Sequence, residues 1–173
     1  MSSMALELPF TAMIDTTVFL CQMGEKQEEE HAPACIDFCE RMVRQSRQLL
    51  VAAPTITEVT RKRGVPLPRV PGIIVVAFDE QAASKLGVKM PIDALKEWRD
   101  AANRPMHYIK YDALIVGCAL RVPACTFVSM DEKQRELASK CGLPAHHPRE
   151  YLLPSAPPRR SEPAPLPGLF DKR

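Results

Sequence analysis

Residues 72–87 read GIIVVAFDEQAASKLG. The unbroken apolar run from Ile73 to Phe78, largely β-branched, is the pattern of a strand covered on both faces of a parallel sheet. It passes at once into an acidic cap, Asp79, then a set of good helix formers and Gly87, the pattern of a helix with a glycine stop. A buried strand leading straight into a helix predicts a parallel sheet with helices on both faces.

The same alternation continues in both directions. Upstream, TAMID (11–15) reads as a strand and Val18 to Met23 as the start of a short helix. CIDFCERMVRQSRQ (35–48) places Ile36, Cys39, Met42 and Val43 at helical spacing, a stripe suited to the core more than to a partner. LLVAA (49–53) is strand-like, Pro54 opens the helix TITEVTRKR from its first turn, and Gly64 closes it. Downstream, PIDALKEWRDAAN (91–103) is a helix with Ile92, Leu95 and Trp98 along one side. YDALIVGCALRV (111–122) is a mostly apolar helix opened by Asp112, ACTFVSM (124–130) a strand and DEKQRELASKCG (131–142) a helix ending in glycine. AHHPREYLL (145–153) adds a last short strand.

The expected architecture is α/β, with three α/β/α layers around a central, mostly parallel sheet, over residues 1–153. Residues 154–173, PSAPPRRSEPAPLPGLFDKR, hold six prolines in twenty positions and little to bury, and read as a proline-rich, disordered tail.

Composition narrows the function. Aromatics make up only 6% of the 173 residues, so stacking platforms for single-stranded nucleic acid are poorly supplied. The tail carries Arg159, Arg160, Lys172 and Arg173 against Glu162 and Asp171, which accounts for the whole formal net charge of +2. The preceding residues are neutral overall, so a nucleic-acid ligand would need a local basic patch. The cysteines at 21, 35, 39, 118, 125 and 141 form no Cys-x-x-Cys, against structural zinc and redox motifs. Cys118 and Cys125 sit among apolar residues and read as core. No basic stretch precedes an apolar one at MSSMALELPF, and VPGIIVVAF (70–78) is far short of a membrane span, so a soluble, cytoplasmic protein is expected. Glycine-rich phosphate loops and a Gly-x-Ser-x-Gly elbow are both missing.

What remains is a set of acids at strand ends or early in the following helices: Asp15, Glu58, Asp79, Asp112 and Asp131. Singly, each suits a helix cap or a solvated position, and Asp79 is the most cap-like. Asp112 stands apart, because Ala113 to Leu120 follow it without one polar side chain, so it must sit at an interior edge.

These acids lie in segments that, in order, resemble one family. MIDTTVFL (13–20), APTITEVTR (53–61), FDEQAASKLG (78–87), YIKYDALIVGCAL (108–120) and FVSMDEKQRELASKCGL (127–143) resemble the successive elements of the PIN domain. The Asp112 and Asp131 segments are the most specific. Thr17 departs from the pattern, standing where the family usually has asparagine.

The resemblance implies a pocket at the carboxyl edge of the sheet that binds Mg²⁺ or Mn²⁺ and cuts RNA. It implies Asp15, Glu58, Asp112 and Asp131 as the catalytic and metal-binding acids, with Thr16 and Ser129 supporting them. It further implies a VapC-like ribonuclease toxin, an antitoxin partner and a possible homodimer. The chemistry agrees: hard divalent cations take oxygen ligands, and two carboxylates about 4 Å apart repel by roughly 4 kcal/mol at an effective dielectric near 20. Converging acids therefore call for protons or a cation. Arg61 and Lys62 follow Glu58 on roughly the same helix face, where they either hold an RNA phosphate or complement the helix dipole. Lys133 and Arg135 are weaker phosphate candidates, and His146 and His147 read as a surface loop. The alternative is a PIN-fold module that binds RNA or protein with little or no catalysis.

Overall fold

The computed structural model describes residues 5–25, 30–67, 69–103 and 105–152. The proline-rich tail lies outside these residues. Among the described residues five strands form one sheet in the order β3-β2-β1-β4-β5, and every pairing is parallel. They are β1 (Thr11–Ile14), β2 (Gln48–Ala52), β3 (Ile73–Val76), β4 (Thr126–Val128) and β5 (Ala145–His146). Between them run α1 (Thr16–Gln22), α2 (Ala32–Arg44), α3 (Ala53–Arg63), α4 (Glu80–Lys89), α5 (Ile92–Ala102), α6 (Met106–Arg121) and α7 (Glu132–Lys140), and a 3-10 turn, Pro148–Tyr151, follows β5.

Side chains alternate between the faces of a strand, so the central strands feed two cores. On one face Ile14, Leu49, Val51 and Val128 pack with Val18 and Phe19 of α1 and Phe38, Cys39 and Met42 of α2. On the other, Met13, Leu50 and Phe127 pack with Ile109, Ile115 and Val116 of α6 and Leu137 of α7. The expected α/β/α layering is thus present.

The opening stretch is corrected in part. β3 is an edge strand, with only Val76 buried; Ile74 and Val75 are 51% and 56% exposed. A continuous β-branched run satisfies an edge position as well as a central one, because one neighbour, β2, is enough to pair it. Asp79 does cap α4, accepting from the Ala82 N–H at 3.0 Å, but Gly87 does not stop that helix, which runs on to Lys89. In α2 the buried stripe is Cys35, Phe38, Cys39 and Met42, while Val43 is exposed. Gly64 has φ +69° and closes α3 as expected, its N–H donating to the Thr60 carbonyl. Trp98 of α5 is buried, but Ile92 lies on the exposed side.

Asp112 also moves relative to its helix. α6 begins at Met106, behind Pro105, so Asp112 is inside the second turn rather than at the opening. The dipole of the first turn gives it no support there.

Candidate active site

Sheet order locates the site. From β1 the chain moves outward through β2 to β3, then crosses back to place β4 on the other side of β1. Adjacent β1 and β4 therefore part their connections in opposite directions, and the crevice at their carboxyl ends is where open parallel sheets bind ligands. Ile14 pairs with Val128, so the next residues, Asp15 and Ser129, emerge side by side at that crevice. The Asp15 N–H still donates to the Val128 carbonyl at 3.2 Å, continuing the ladder one step.

Asp15 caps α1 and is buried, 2% exposed. Its Oδ1 accepts from the Val18 N–H at 2.8 Å and its Oδ2 accepts from the Ser129 hydroxyl at 2.5 Å. Burial pushes its carboxyl up from 3.8 to about 6, against the Ser129 and Val18 hydrogen bonds, and the charge of Asp131 adds to the rise.

Asp131 caps α7, accepting from the Lys133 and Gln134 N–H groups at 2.8 and 3.3 Å. Glu58 reaches in from α3: its Oε2 accepts from the Thr16 hydroxyl at 2.9 Å and its Oε1 pairs with Lys62 at 2.9 Å. Asp112 enters from α6 and accepts from the Gln134 amide at 3.4 Å.

A pocket of about 120 Å³ is lined by Asp15, Thr16, Thr17, Leu20, Glu58, Lys62, Asp112, Asp131 and Gln134. Thus four acids expected from the sequence, carried on four separate elements, share one cavity. Thr16 lines it, and Ser129 stands just behind, on Asp15. Of the two basic residues expected nearby, Lys62 lines the pocket and Arg61 does not. Asp79 is elsewhere, paired with Arg121 at 2.7 Å. A larger depression of about 610 Å³ beside β3, lined by Val51, Ile56, Leu67, Val70 and Ile73 among others, contains no acid.

The donors around the acidic pocket are all oxygens apart from the Lys62 ammonium and the Gln134 amide nitrogen, a set matched to a hard divalent cation. Among the described residues no three His, Cys, Asp or Glu side chains are drawn together closely enough to cage a metal ion by themselves. Mg²⁺ does not require such a cage, since one or two carboxylates with retained waters suffice. Asp15, buried and facing the Asp131 charge, is an acid whose ionised form a neighbouring cation would stabilise.

Among the described residues, cysteine and histidine offer no competing metal centre. All six cysteines are buried thiols, and burial pushes Cys35, Cys39, Cys118, Cys125 and Cys141 up. His146 and His147 are both half-buried; His146 falls in β5, and His147 in the connection that leads to the 3-10 turn, as expected of a loop residue. His146 lies in β5 with its Nδ1 3.0 Å from Glu150 Oε2, and the His147 ring accepts from the Arg149 N–H at 3.0 Å. Burial, then the Arg135 charge, lowers His147 to about 4, so it is a neutral cap. Arg135 is turned to the Ser129 and Met130 carbonyls at 2.8 and 2.9 Å, and Lys133 to Glu136.

Sequence reasoning missed two buried polar residues, Thr55 and Gln134. Thr55 sits 3.4 Å from the Thr16 hydroxyl. Gln134 stands three residues after the cap Asp131, the capping-box spacing, and that was its available signal.

No protein-family model and no curated protein sequence matches the chain. Solved structures do match. The chain is similar to one in the crystal structure of VapBC2 from Rickettsia felis bound to a DNA fragment from their promoter, with TM-score 0.54 and 11% identity over 79% of this chain and 98% of that one. It is also similar to one in the crystal structure of DNA-bound VapBC from Salmonella typhimurium, with TM-score 0.50 and 18% identity over 80% of this chain and 98% of that one. At these identities the likeness is one of fold. No helix among the described residues is long and apolar enough to cross a membrane.

Proposed function

We propose that this protein is a metal-dependent endoribonuclease of the PIN type, acting as the toxin of a toxin–antitoxin pair. The observation that carries the reading is the convergence of Asp15, Glu58, Asp112 and Asp131, from four elements, on one pocket at the switch point of the sheet. The fold shared with chains of two VapBC structures supports both the nuclease class and an antitoxin partner.

In this reading Asp15 and Asp112 hold the cation directly, with Asp131 and Glu58 binding it directly or through water. Bound Mg²⁺ or Mn²⁺ supplies Lewis acidity toward water and the scissile phosphate. The chain's own groups set the geometry. Val18 N–H and the Ser129 hydroxyl fix both oxygens of Asp15, and Thr16 and Lys62 fix those of Glu58. Lys62, and Arg61 beside it, offer positive charge to the RNA backbone at the rim of an acidic site.

A second reading is favoured by one feature. Lys62 already neutralises Glu58, and the acids as they stand do not enclose an ion, as expected of a PIN-fold RNA- or protein-binding module with weak or absent catalysis.

Incubating the purified chain with a mixed pool of structured RNAs and Mn²⁺ or Mg²⁺ separates the two. The nuclease reading predicts cutting that chelator and Asp112→Asn both abolish. Absence of both cutting and metal binding leaves the binding module.

A further inference from the structure

The first turn of α7 carries an anomaly. Gln134, Leu137 and Ala138 occupy one helical face and all are buried, so position 134 lies on the apolar stripe that docks α7 against the sheet. A glutamine that is only 4% exposed gives up hydration and needs compensating hydrogen bonds. Its bonds lead to three of the four acids.

Gln134 Nε2 donates to Asp112 Oδ1 at 3.4 Å. Its backbone N–H donates to Asp131 Oδ1 at 3.3 Å. Its Oε1 lies 3.3 Å from Ser129 Oγ, the hydroxyl bound to Asp15. The amide orientation follows from these neighbours, because reversal would set its oxygen against the Asp112 carboxylate. Ser129 has one hydroxyl proton, and Asp15, at 2.5 Å, holds it more strongly than Gln134 Oε1. The glutamine oxygen therefore keeps acceptor capacity at the wall of the acidic pocket.

We propose that Gln134 is a positioning residue that sets the Asp112 carboxylate against the Asp15–Ser129 pair and thereby governs the pocket's affinity for a divalent cation. The inference rests on the metal-dependent reading of that pocket. Asp112 and Asp131 arrive on different helices, α6 and α7, and Gln134 bonds to both. A side chain of equal length without hydrogen-bonding groups would fill the same space and leave Asp112 without that donor. Removing a group that orients a metal ligand typically weakens metal binding by about 10- to 100-fold.

The test is calorimetric titration of the full chain with Mn²⁺ at pH 7.5, comparing wild type with Gln134→Met. The expected result is binding at least about tenfold weaker in the variant, with a melting temperature equal to or above that of wild type in chelator, because the stripe becomes wholly apolar. A second measurement uses the unaltered protein: the side-chain NH₂ resonances of Gln134 should shift during a Mg²⁺ titration and saturate with the calorimetric affinity. Equal Mn²⁺ affinity in the two proteins, or NH₂ resonances that stay fixed while Mg²⁺ binds, overturns the positioning role and leaves the nuclease reading intact. A wild-type protein that takes up no cation overturns both. If Gln134→Met does not fold, the resonance titration decides.

Discussion

Replacing Asp15 with asparagine should make the metal-free protein more stable at neutral pH, although it removes one of the acids that line the pocket. Asp15 titrates at about 6 in the folded chain against 3.8 ordinarily, chiefly because it is buried. At 1.36 kcal/mol per pKa unit, that difference means the ionised carboxylate costs the fold ~3 kcal/mol at pH 7.5.

The sign follows from proton uptake. Between pH 6 and 3.8 the folded state binds more protons than the unfolded one, so this group's contribution to stability is full below 3.8 and is lost as pH rises through about 6. Asparagine keeps an oxygen for the Val18 N–H and offers an amide N–H to Ser129, whose hydroxyl can turn to accept it. In chelator at pH 7.5, Asp15→Asn should therefore melt higher, by roughly 2–4 °C for each kcal/mol recovered. About half of the advantage should be gone by pH 5. Mn²⁺ should raise the wild-type melting temperature by more than the variant's. Thermal melts from pH 7.5 to 5, with chelator and with Mn²⁺, read all three effects. A variant less stable than wild type at pH 7.5 in chelator would refute the premise that Asp15 is a strained, cation-seeking charge.

Other substitutions probe the surroundings. Ser129→Ala removes the 2.5 Å hydrogen bond to a buried carboxylate and should destabilise the metal-free protein by about 1.5–3 kcal/mol in denaturant titrations at pH 7.5. Gly117→Ala places a Cβ 2.7 Å from Phe78 Cε2 and 3.3 Å from Leu86 where α4 crosses α6, and should cost about 1–3 kcal/mol in the same assay. Ile74→Lys, on the exposed face of the edge strand, should change stability by no more than about 0.5–1 kcal/mol; a loss of several kcal/mol would mean that β3 is covered.

The sequence carried the fold most clearly where pattern and chemistry coincide. Asp15 ends a run whose next strand neighbour, β4, ends in Ser129, and the two meet because parallel pairing puts strand ends at one edge. The apolar residues from Ala113 to Leu120 marked α6 as buried and Asp112 as an interior acid. Its start was not legible, because Pro105 opens the helix without a side-chain cap and His107 and Lys110 blur the apolar period. The β3 run misled for a different reason: hydrophobicity reports what a strand can bury, and sheet order decides what it does bury. Gly87 reads as a helix stop, yet a Cβ there would meet nothing within 4 Å and the helix passes through it. Gln134 escaped because glutamine in a helix is ordinarily a solvated residue. Only the placement of α7 beside α6 makes it a buried bridge between acids.

The central claim is that carboxylates from separate strands and helices form one cation site. Mn²⁺ calorimetry on wild type, Asp15→Asn and Asp112→Asn at pH 7.5 tests it most directly. The account predicts saturable binding to wild type, weakened at least about tenfold by either substitution. Binding that survives both substitutions, or a wild-type chain that binds no Mn²⁺, would contradict it.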